Sequence, residues 1–362
     1  MKKKLKDICN GFTKNIAQKE LDELNGDYEI YGASGLIKKI DYYVSEVPYI
    51  GIVKDGSGVG RVSSYPAKSS LIGTMQYIVP NNDIDLQYLM YALRSMNLGN
   101  LFKGAAIPHI YFKEYKEFNV NVPSLPDQQK IATHLDSIQS AIDNKKQQLR
   151  QLDELVKSKF VEMFGENPVE SGKWKVEKLS SICKVQTGGT PSRMHPEYFE
   201  GNIPWITTAN LGVNELNYDD AMEYITQEAV DNSATKIIPA HSLFIGIRVG
   251  VGKCSINNVD MCSNQDICGL SGFDVARTNL LFVKKVIDSY EDYFDNAKRG
   301  TTIKGVKSDT IKELKIFLPE LELQNTFAEY VQKIDSAKSI IKTQLEDLQE
   351  LLDSKMDEYF GE

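Results

Sequence analysis

A glycine-rich run closing on a lysine is the first stretch of this sequence whose spacing could do chemistry. Residues Gly246-Ile247-Arg248-Val249-Gly250-Val251-Gly252-Lys253-Cys254 have the outline of a phosphate-binding loop, where backbone N–H groups and a lysine cradle phosphate oxygens. Counting excludes that chemistry. The first glycine stands one residue too far from Gly252-Lys253, and Cys254 replaces the hydroxyl that would hold magnesium. A second cluster, Gly56 to Gly60, lacks the strand–turn–helix frame and downstream acid of a dinucleotide site, so a hairpin turn is its expected role. Neither the glycine-rich nor the Asn-Pro-Pro-Tyr-type motif of an adenine methyltransferase is present, nor His-Glu-x-x-His or Gly-x-Ser-x-Gly. Five cysteines with no Cys-x-x-Cys pair and four scattered histidines give no metal-ligand spacing. With no catalytic constellation, the chain is expected to recognise rather than to turn over.

The bulk properties leave recognition open. With 41% apolar and 25% charged residues the 362-residue chain reads as globular and long enough for two or three domains. No run approaches the ~20 apolar residues of a membrane span, and the basic start Met1-Lys2-Lys3-Lys4 has no apolar core behind it. An odd cysteine number argues for reduced thiols and a cytoplasmic location. The net charge of −8 does not exclude nucleic acid, because the last 48 residues carry 5 basic and 11 acidic groups and hold most of the excess. A near-neutral remainder can still present a basic face.

The elements that would position such a face are organised by a duplication. Sliding the sequence by 196 positions lays residues 122–166 on 318–362 with 19 identities in 45 positions. Each copy reads as one long helix. Apolar residues recur in steps of four and three, at Ile131, Leu135, Ile138, Ile142, Leu149, Leu152, Val156 and Met163, and again from Phe327 through Val331 and Ile334 to Tyr359. That is a coiled-coil seam. Lys145, Lys159, Lys338 and Lys355 interrupt it, and Gly165 or Gly361 can close each helix in a left-handed cap. Two such helices on one polypeptide most simply pair antiparallel within the chain; the alternative is a coiled coil between chains. The intervening regions read as mixed α/β with many loops. Residues 47–62 and 243–256 each look like two short strands about a glycine turn, with helices expected at 84–98 and 278–298. The expected fold class is α+β: two variable mixed α/β domains (1–122 and 168–318) separated by a pair of long antiparallel coiled-coil helices (123–167 and 319–362), in a pseudo-twofold internal repeat.

Three runs in the second half carry a resemblance. They are Thr187-Gly188-Gly189-Thr190-Pro191-Ser192-Arg193, Pro196-Glu197-Tyr198-Phe199, and Gly201-Asn202-Ile203-Pro204-Trp205-Ile206-Thr207-Thr208-Ala209-Asn210-Leu211. With Pro123-x-Leu125-x-x-Gln128 and Pro319-x-Leu321-x-x-Gln324 leading into the helices, the chain resembles the specificity subunit of type I restriction–modification enzymes. The first half departs from the pattern, with Thr13-Lys14-Asn15-Ile16 in place of Thr187-Gly188-Gly189-Thr190, so the two domains should read different half-sites.

The resemblance implies a non-catalytic subunit that binds double-stranded DNA, each variable domain reading one part of a split target. The helices would set the unread spacer and dock two methyltransferase subunits, with or without ATP-dependent restriction subunits. S-adenosylmethionine, and ATP with magnesium where present, would be bound by those partners; no cofactor is expected on this chain. DNA contacts are expected from Lys54, Arg61, Arg248 and Lys253 around the glycine turns, and from Lys103, Lys298 and Arg299 in glycine-bounded loops suited to phosphates. Arg193, Thr208 and Asn210 in the matching runs, and the amides of Gln76 and Gln265, complete the set. Each has a plain alternative as a solvated charge, a turn cap or a partner for backbone groups; Trp205 is expected in the core. A rival of another class is a coiled-coil scaffold carrying two ligand-binding domains with no DNA role. Inserting one base pair between half-sites separates the two, since only a rigid reader would lose affinity.

Overall fold

The computed structural model describes residues 1–101, 108–290, 292–295 and 305–361. In chain order the first half contains β1 (Lys2–Lys4), α1 (Leu5–Ile8), β2 (Cys9–Phe12), β3 (Tyr28–Gly32), β4 (Gly35–Ile40), β5 (Tyr49–Val53) and β6 (Val62–Tyr65). It continues with β7 (Ser70–Leu71), β8 (Met75–Pro80), α2 (Leu86–Ser95), α3 (Phe112–Tyr115), β9 (Asn119–Asn121) and the long helix α4 (Leu125–Phe164). The second half runs β10 (Lys175–Lys178), α5 (Leu179–Ile182), β11 (Lys184–Thr187), β12 (Ile203–Ile206), β13 (Glu215–Leu216), β14 (Glu223–Ile225), α6 (Gln227–Asp231) and β15 (Ser242–Gly246). It ends with β16 (Cys254–Asn257), β17 (Cys262–Ser263), β18 (Ile267–Ser271), α7 (Leu280–Asp288), α8 (Ser308–Lys312), β19 (Lys315–Leu318) and α9 (Leu321–Phe360).

The two halves repeat one another strand by strand. One sheet has the order β2-β8-β5-β6 and its counterpart β11-β18-β15-β16, the second extended by β13. A smaller sheet, β4-β3-β7 in one half and β14-β12-β17 in the other, contains one antiparallel and one parallel pair in each case. The central strands β5 and β15 are buried along their whole length, which is why they read as unbroken apolar runs rather than alternating ones. Beside them lie α2 and α7, each opened by a side-chain cap: Asp85 accepts from Tyr88 N–H at 2.9 Å and Asn279 from Phe282 N–H at 3.1 Å. The helix expected over 278–298 is shorter, because α7 stops at Asp288, where the Ser289 hydroxyl bonds the Val286 carbonyl; residues 292–295 are helical again.

The helices α4 and α9 are 40 residues each, about 60 Å at ~1.5 Å per residue, and start and stop 196 positions apart, as the duplication demands. The chain forms two compact units, Met1–Leu149 with Ile340–Glu362, and Arg150–Ser339. In unit 1, Leu135, Ile138 and Ile142 of α4 share a core with Leu345, Leu348 and Leu352 of α9, and His134 Nδ1 meets the Tyr359 hydroxyl at 2.9 Å. In unit 2 the far end of α4, through Phe160 and Met163, packs with Phe327 and Val331 near the start of α9. The start of one helix pairs with the end of the other in both units, so the two long helices pack antiparallel within the chain. Lys338, an interruption of the seam, is ion-paired across it with Asp153, whereas Lys159 and Lys355 pair along their own helices with Glu162 and Glu358. Gly165 adopts the left-handed cap at φ +92°; Gly361 closes α9 through its N–H to Asp357 O at 2.8 Å without that conformation.

The glutamine of each Pro-x-Leu-x-x-Gln motif is a buried clasp. Gln128 accepts from Asp85 N–H at 2.9 Å and donates to the carbonyls of Pro123 (3.0 Å) and Asp83 (3.2 Å). Gln324 accepts from Asn279 N–H at 2.9 Å and donates to Pro319 (2.8 Å) and Arg277 (2.9 Å). In both units one amide ties the start of the long helix to the N-cap of the helix beside the sheet.

All five cysteines are buried and unpaired. Burial pushes the thiols of Cys9, Cys183 and Cys254 up to about 12 and that of Cys262 to about 11, so the reactive thiolate is scarce at neutral pH. A thiol reagent at pH 8 is expected to label none of them in the native chain and all five in denaturant; rapid native labelling would contradict this packing. Among the described residues no helix is long and apolar enough to cross a membrane.

Candidate nucleic-acid interface

The glycine clusters are hairpin turns. Val53 N–H bonds Arg61 O (3.0 Å) and Gly60 N–H bonds Val53 O (2.8 Å), joining β5 to β6. Gly60 is required there: φ is +83°, and a Cβ would lie 2.1 Å from the Gly99 nitrogen. In the second half Gly246 N–H bonds Lys253 O (2.9 Å) and Gly252 N–H bonds Gly246 O (3.0 Å), joining β15 to β16. Gly252, at φ +87°, would drive a Cβ to 2.5 Å from the Phe294 ring. Arg61 and Lys253 therefore hold equivalent places, each one residue past an obligatory glycine.

Both hairpins are anchored to residues that come just after the Lys103 and Lys298-Arg299 stretches in the sequence. Pro108 O accepts from Gly56 N–H at 3.1 Å and Ile110 N–H donates to Lys54 O at 2.9 Å; correspondingly, Val306 N–H donates to Ile247 O at 2.7 Å. Lys103, Lys298 and Arg299 themselves lie outside the described residues, as does most of the matching glycine-bounded stretch.

Around the first hairpin the candidates separate. Arg61 is exposed, with one nitrogen on Ala33 O at 2.9 Å. It borders an open cleft of about 740 Å³ that also takes in Arg94, Asn97 and Asn100. From sequence, Arg94 in the last turn of α2 reads only as a partner of the helix dipole; here its Nε donates to Val62 O at 3.1 Å, and the residue lines the cleft. Lys54 is not on this surface. Its side chain is 9% exposed, its ammonium 2.7 Å from Asp55 Oδ2 and 5.5 Å from the Tyr111 ring centre. Gln76 is buried within β8, accepting from Phe112 N–H at 3.0 Å, so its amide is not presented to an incoming groove.

Around the second hairpin Arg248 is exposed and held at 3.3 Å by Asp266, while Lys253 is exposed with no ion pair among the described residues. Gln265, next to Asp266, accepts from the Thr190 hydroxyl, which brings one of the resemblance-bearing runs beside the hairpin. Arg193 is already engaged. Its guanidinium makes a two-pronged pair with Glu223 (2.5 and 2.8 Å) and lies 4.0 Å over the Phe199 ring, and the pair holds the Glu223 carboxyl below its usual range. Asn210 has both ends of its amide committed, to Thr207 N–H at 2.9 Å and Asp220 O at 2.8 Å, in the turn that contains half-buried Thr208. Trp205 is 3% exposed and donates to Gly189 O at 3.1 Å. Both units thus present, at the same end of the corresponding sheet, a glycine hairpin that carries exposed positive charge: Arg61 in one, Arg248 and Lys253 in the other.

Comparison with known proteins adds the lineage. The family model described as "Type I restriction modification DNA specificity domain" matches residues 1–154 and 171–350. Over 187 residues the chain is 32% identical to the Escherichia coli EcoR124I/EcoR124II specificity subunit, covering 49% of this chain and 44% of that protein. Over 179 residues it is 28% identical to the MjaIX specificity subunit of Methanocaldococcus jannaschii, covering 49% and 41%. The chain thus spans less than half the length of these curated relatives. In fold it is similar to the crystal structure of a type I restriction–modification S subunit from M. genitalium, with a TM-score of 0.65 at 15% identity over 100% of this chain and 96% of that one. With two family domains that account for nearly all of its residues, the chain belongs to the type I restriction modification DNA specificity domain family.

Proposed function

We propose that this chain is the sequence-reading subunit of a type I restriction–modification complex, each unit reading one part of a bipartite duplex target through its hairpin end. The carrying observation is the duplication of that end: the same glycine-fixed hairpin appears in both units with Arg61 in one and Arg248 and Lys253 in the other, set in different surroundings. A two-stranded ribbon of this size fits a major groove, and flanking cations suit phosphates. The names of the relatives support the same reading. The chain works in the cytoplasm without catalysing a reaction and without a cofactor of its own. Two methyltransferase subunits, docked on the paired helices, bind S-adenosylmethionine, and restriction subunits with ATP and magnesium join where they are present.

Sequencing the methylated bases of a host with and without this chain tests the reading. A split motif that vanishes with the chain is expected; an unchanged methylome overturns it. On the purified complex, Arg248→Ala is expected to weaken binding to the target duplex about tenfold, the order of one good charged contact. Lys253→Ala should lower the salt dependence by about one phosphate's worth. Unchanged affinity in Arg248→Ala, measured at fixed salt, counts against the second hairpin as a DNA contact.

A further inference from the structure

Three aliphatic side chains follow Gly246 in the second hairpin, and they do not share one fate. Ile247 and Val251 are 4% and 7% exposed and belong to the core of unit 2, whereas Val249 is 62% exposed. Val249 stands between exposed Arg248 and Gly250, with exposed Lys253 closing the turn. The turn is fixed on both sides. Ile247 N–H bonds Asp266 O at 2.8 Å, Lys253 N–H bonds Gly250 O at 3.0 Å, and Gly252 N–H bonds Gly246 O at 3.0 Å. A valine, stiff at χ1, therefore holds its two methyl groups outward in a set direction. Solvent alone does not call for this residue: the corresponding tip of the first hairpin carries Ser57, which is also exposed.

We propose that Val249 is a specificity-determining residue that reads the 5-methyl group of a thymine in the major groove. This rests on the reading of the chain as a DNA-recognition subunit and names how one of its units selects a base. The thymine methyl is the one apolar group that an unmodified base pair presents at the major-groove edge. An apolar tip between two cations matches it, with Arg248 and Lys253 placed toward phosphates or neighbouring base edges. Ser57 at the equivalent tip offers a hydroxyl instead, so the first unit reads its position by hydrogen bonding, and the two units select different bases with one architecture.

The test replaces each thymine of the preferred duplex in turn by deoxyuridine, which keeps pairing and removes only the methyl. Binding is measured for the methyltransferase complex carrying either the natural chain or Val249→Ala. One position is expected at which deoxyuridine weakens the natural complex about three- to fivefold, the order expected for one buried methyl, while Val249→Ala no longer distinguishes the two bases there. Equal responses of the two complexes at every thymine overturn the inference while leaving sequence-specific binding intact. A natural complex that prefers no duplex at all overturns the DNA-recognition reading itself, and the inference with it. Because Val249 lies on the surface, thermal unfolding of the variant should match that of the natural chain, which ties any change in binding to the tip.

Discussion

Truncating Phe164 to alanine is expected to remove about 4 kcal/mol of stability from unit 2, the order found when a fully buried aromatic leaves a cavity. Phe164 is 2% exposed, and the rings of Phe160, Phe282, Phe317 and Phe327 lie 5.3 to 5.5 Å from its own, mostly edge to face. Its carbonyl also accepts from Trp174 Nε1 at 3.1 Å. One side chain at the end of α4 thus joins that helix to α7, β19 and α9, so no single neighbour can move in to fill the space. Thermal unfolding followed by circular dichroism should fall by roughly 8–15 °C for a unit of this size. The duplicated position supplies a control. Phe360 is only partly buried and meets Tyr88 at 5.2 Å, so Phe360→Ala should cost less than half as much; equal losses would show that the cluster does not hold the unit together as described.

The second large effect belongs to Gln324. Replacing it with alanine leaves Asn279 N–H and the carbonyls of Pro319 and Arg277 without the partners they have now. The residue is fully buried, so water does not simply take its place. Orphaned buried groups of this kind make a loss of about 3 kcal/mol the expected result. Gln324→Glu keeps the shape but loses both donated bonds and buries a charge, and should be no better. Hydrogen exchange localises the effect. The amide of Asn279 and the first turn of α7 should exchange faster, while Asp85 and α2, clasped by Gln128 in unit 1, should not change. A melting temperature within about 2 °C of the natural chain would mean that the clasp contributes little.

The long helices were legible because their signal is local and repeated: a three-and-four spacing over forty residues, printed twice at one offset. Their antiparallel pairing within the chain followed from both copies lying on one polypeptide, and the shared cores of Leu135 with Leu352 and Phe160 with Phe327 bear that out. The glycine hairpins were legible for a similar reason, since Gly-Val-Gly before a base occurs in both halves. What the sequence could not carry was partnership over distance. Arg193 looked like a free base until Glu223, thirty residues on, took its guanidinium, and Lys54 looked like a turn cation until the fold turned it inward against Asp55 and Tyr111. The motif glutamines were visible as a pattern, but their work depends on Asp85 and Asn279, each more than forty residues earlier. The parallel pairings of β3 with β7 and β12 with β17 involve two-residue stretches too short for any periodicity to mark.

The division of the chain into units has a consequence for how it is made. Unit 2 is a single uninterrupted stretch, Arg150–Ser339, but unit 1 joins Met1–Leu149 to the last two dozen residues, and Leu345, Leu348, Leu352, Met356 and Phe360 all enter its core. On the ribosome, the part translated first must wait with an apolar face uncovered until residues 340–361 have been made, while the part between, Arg150–Ser339, can close before them. The order of completion is therefore the reverse of the order of translation.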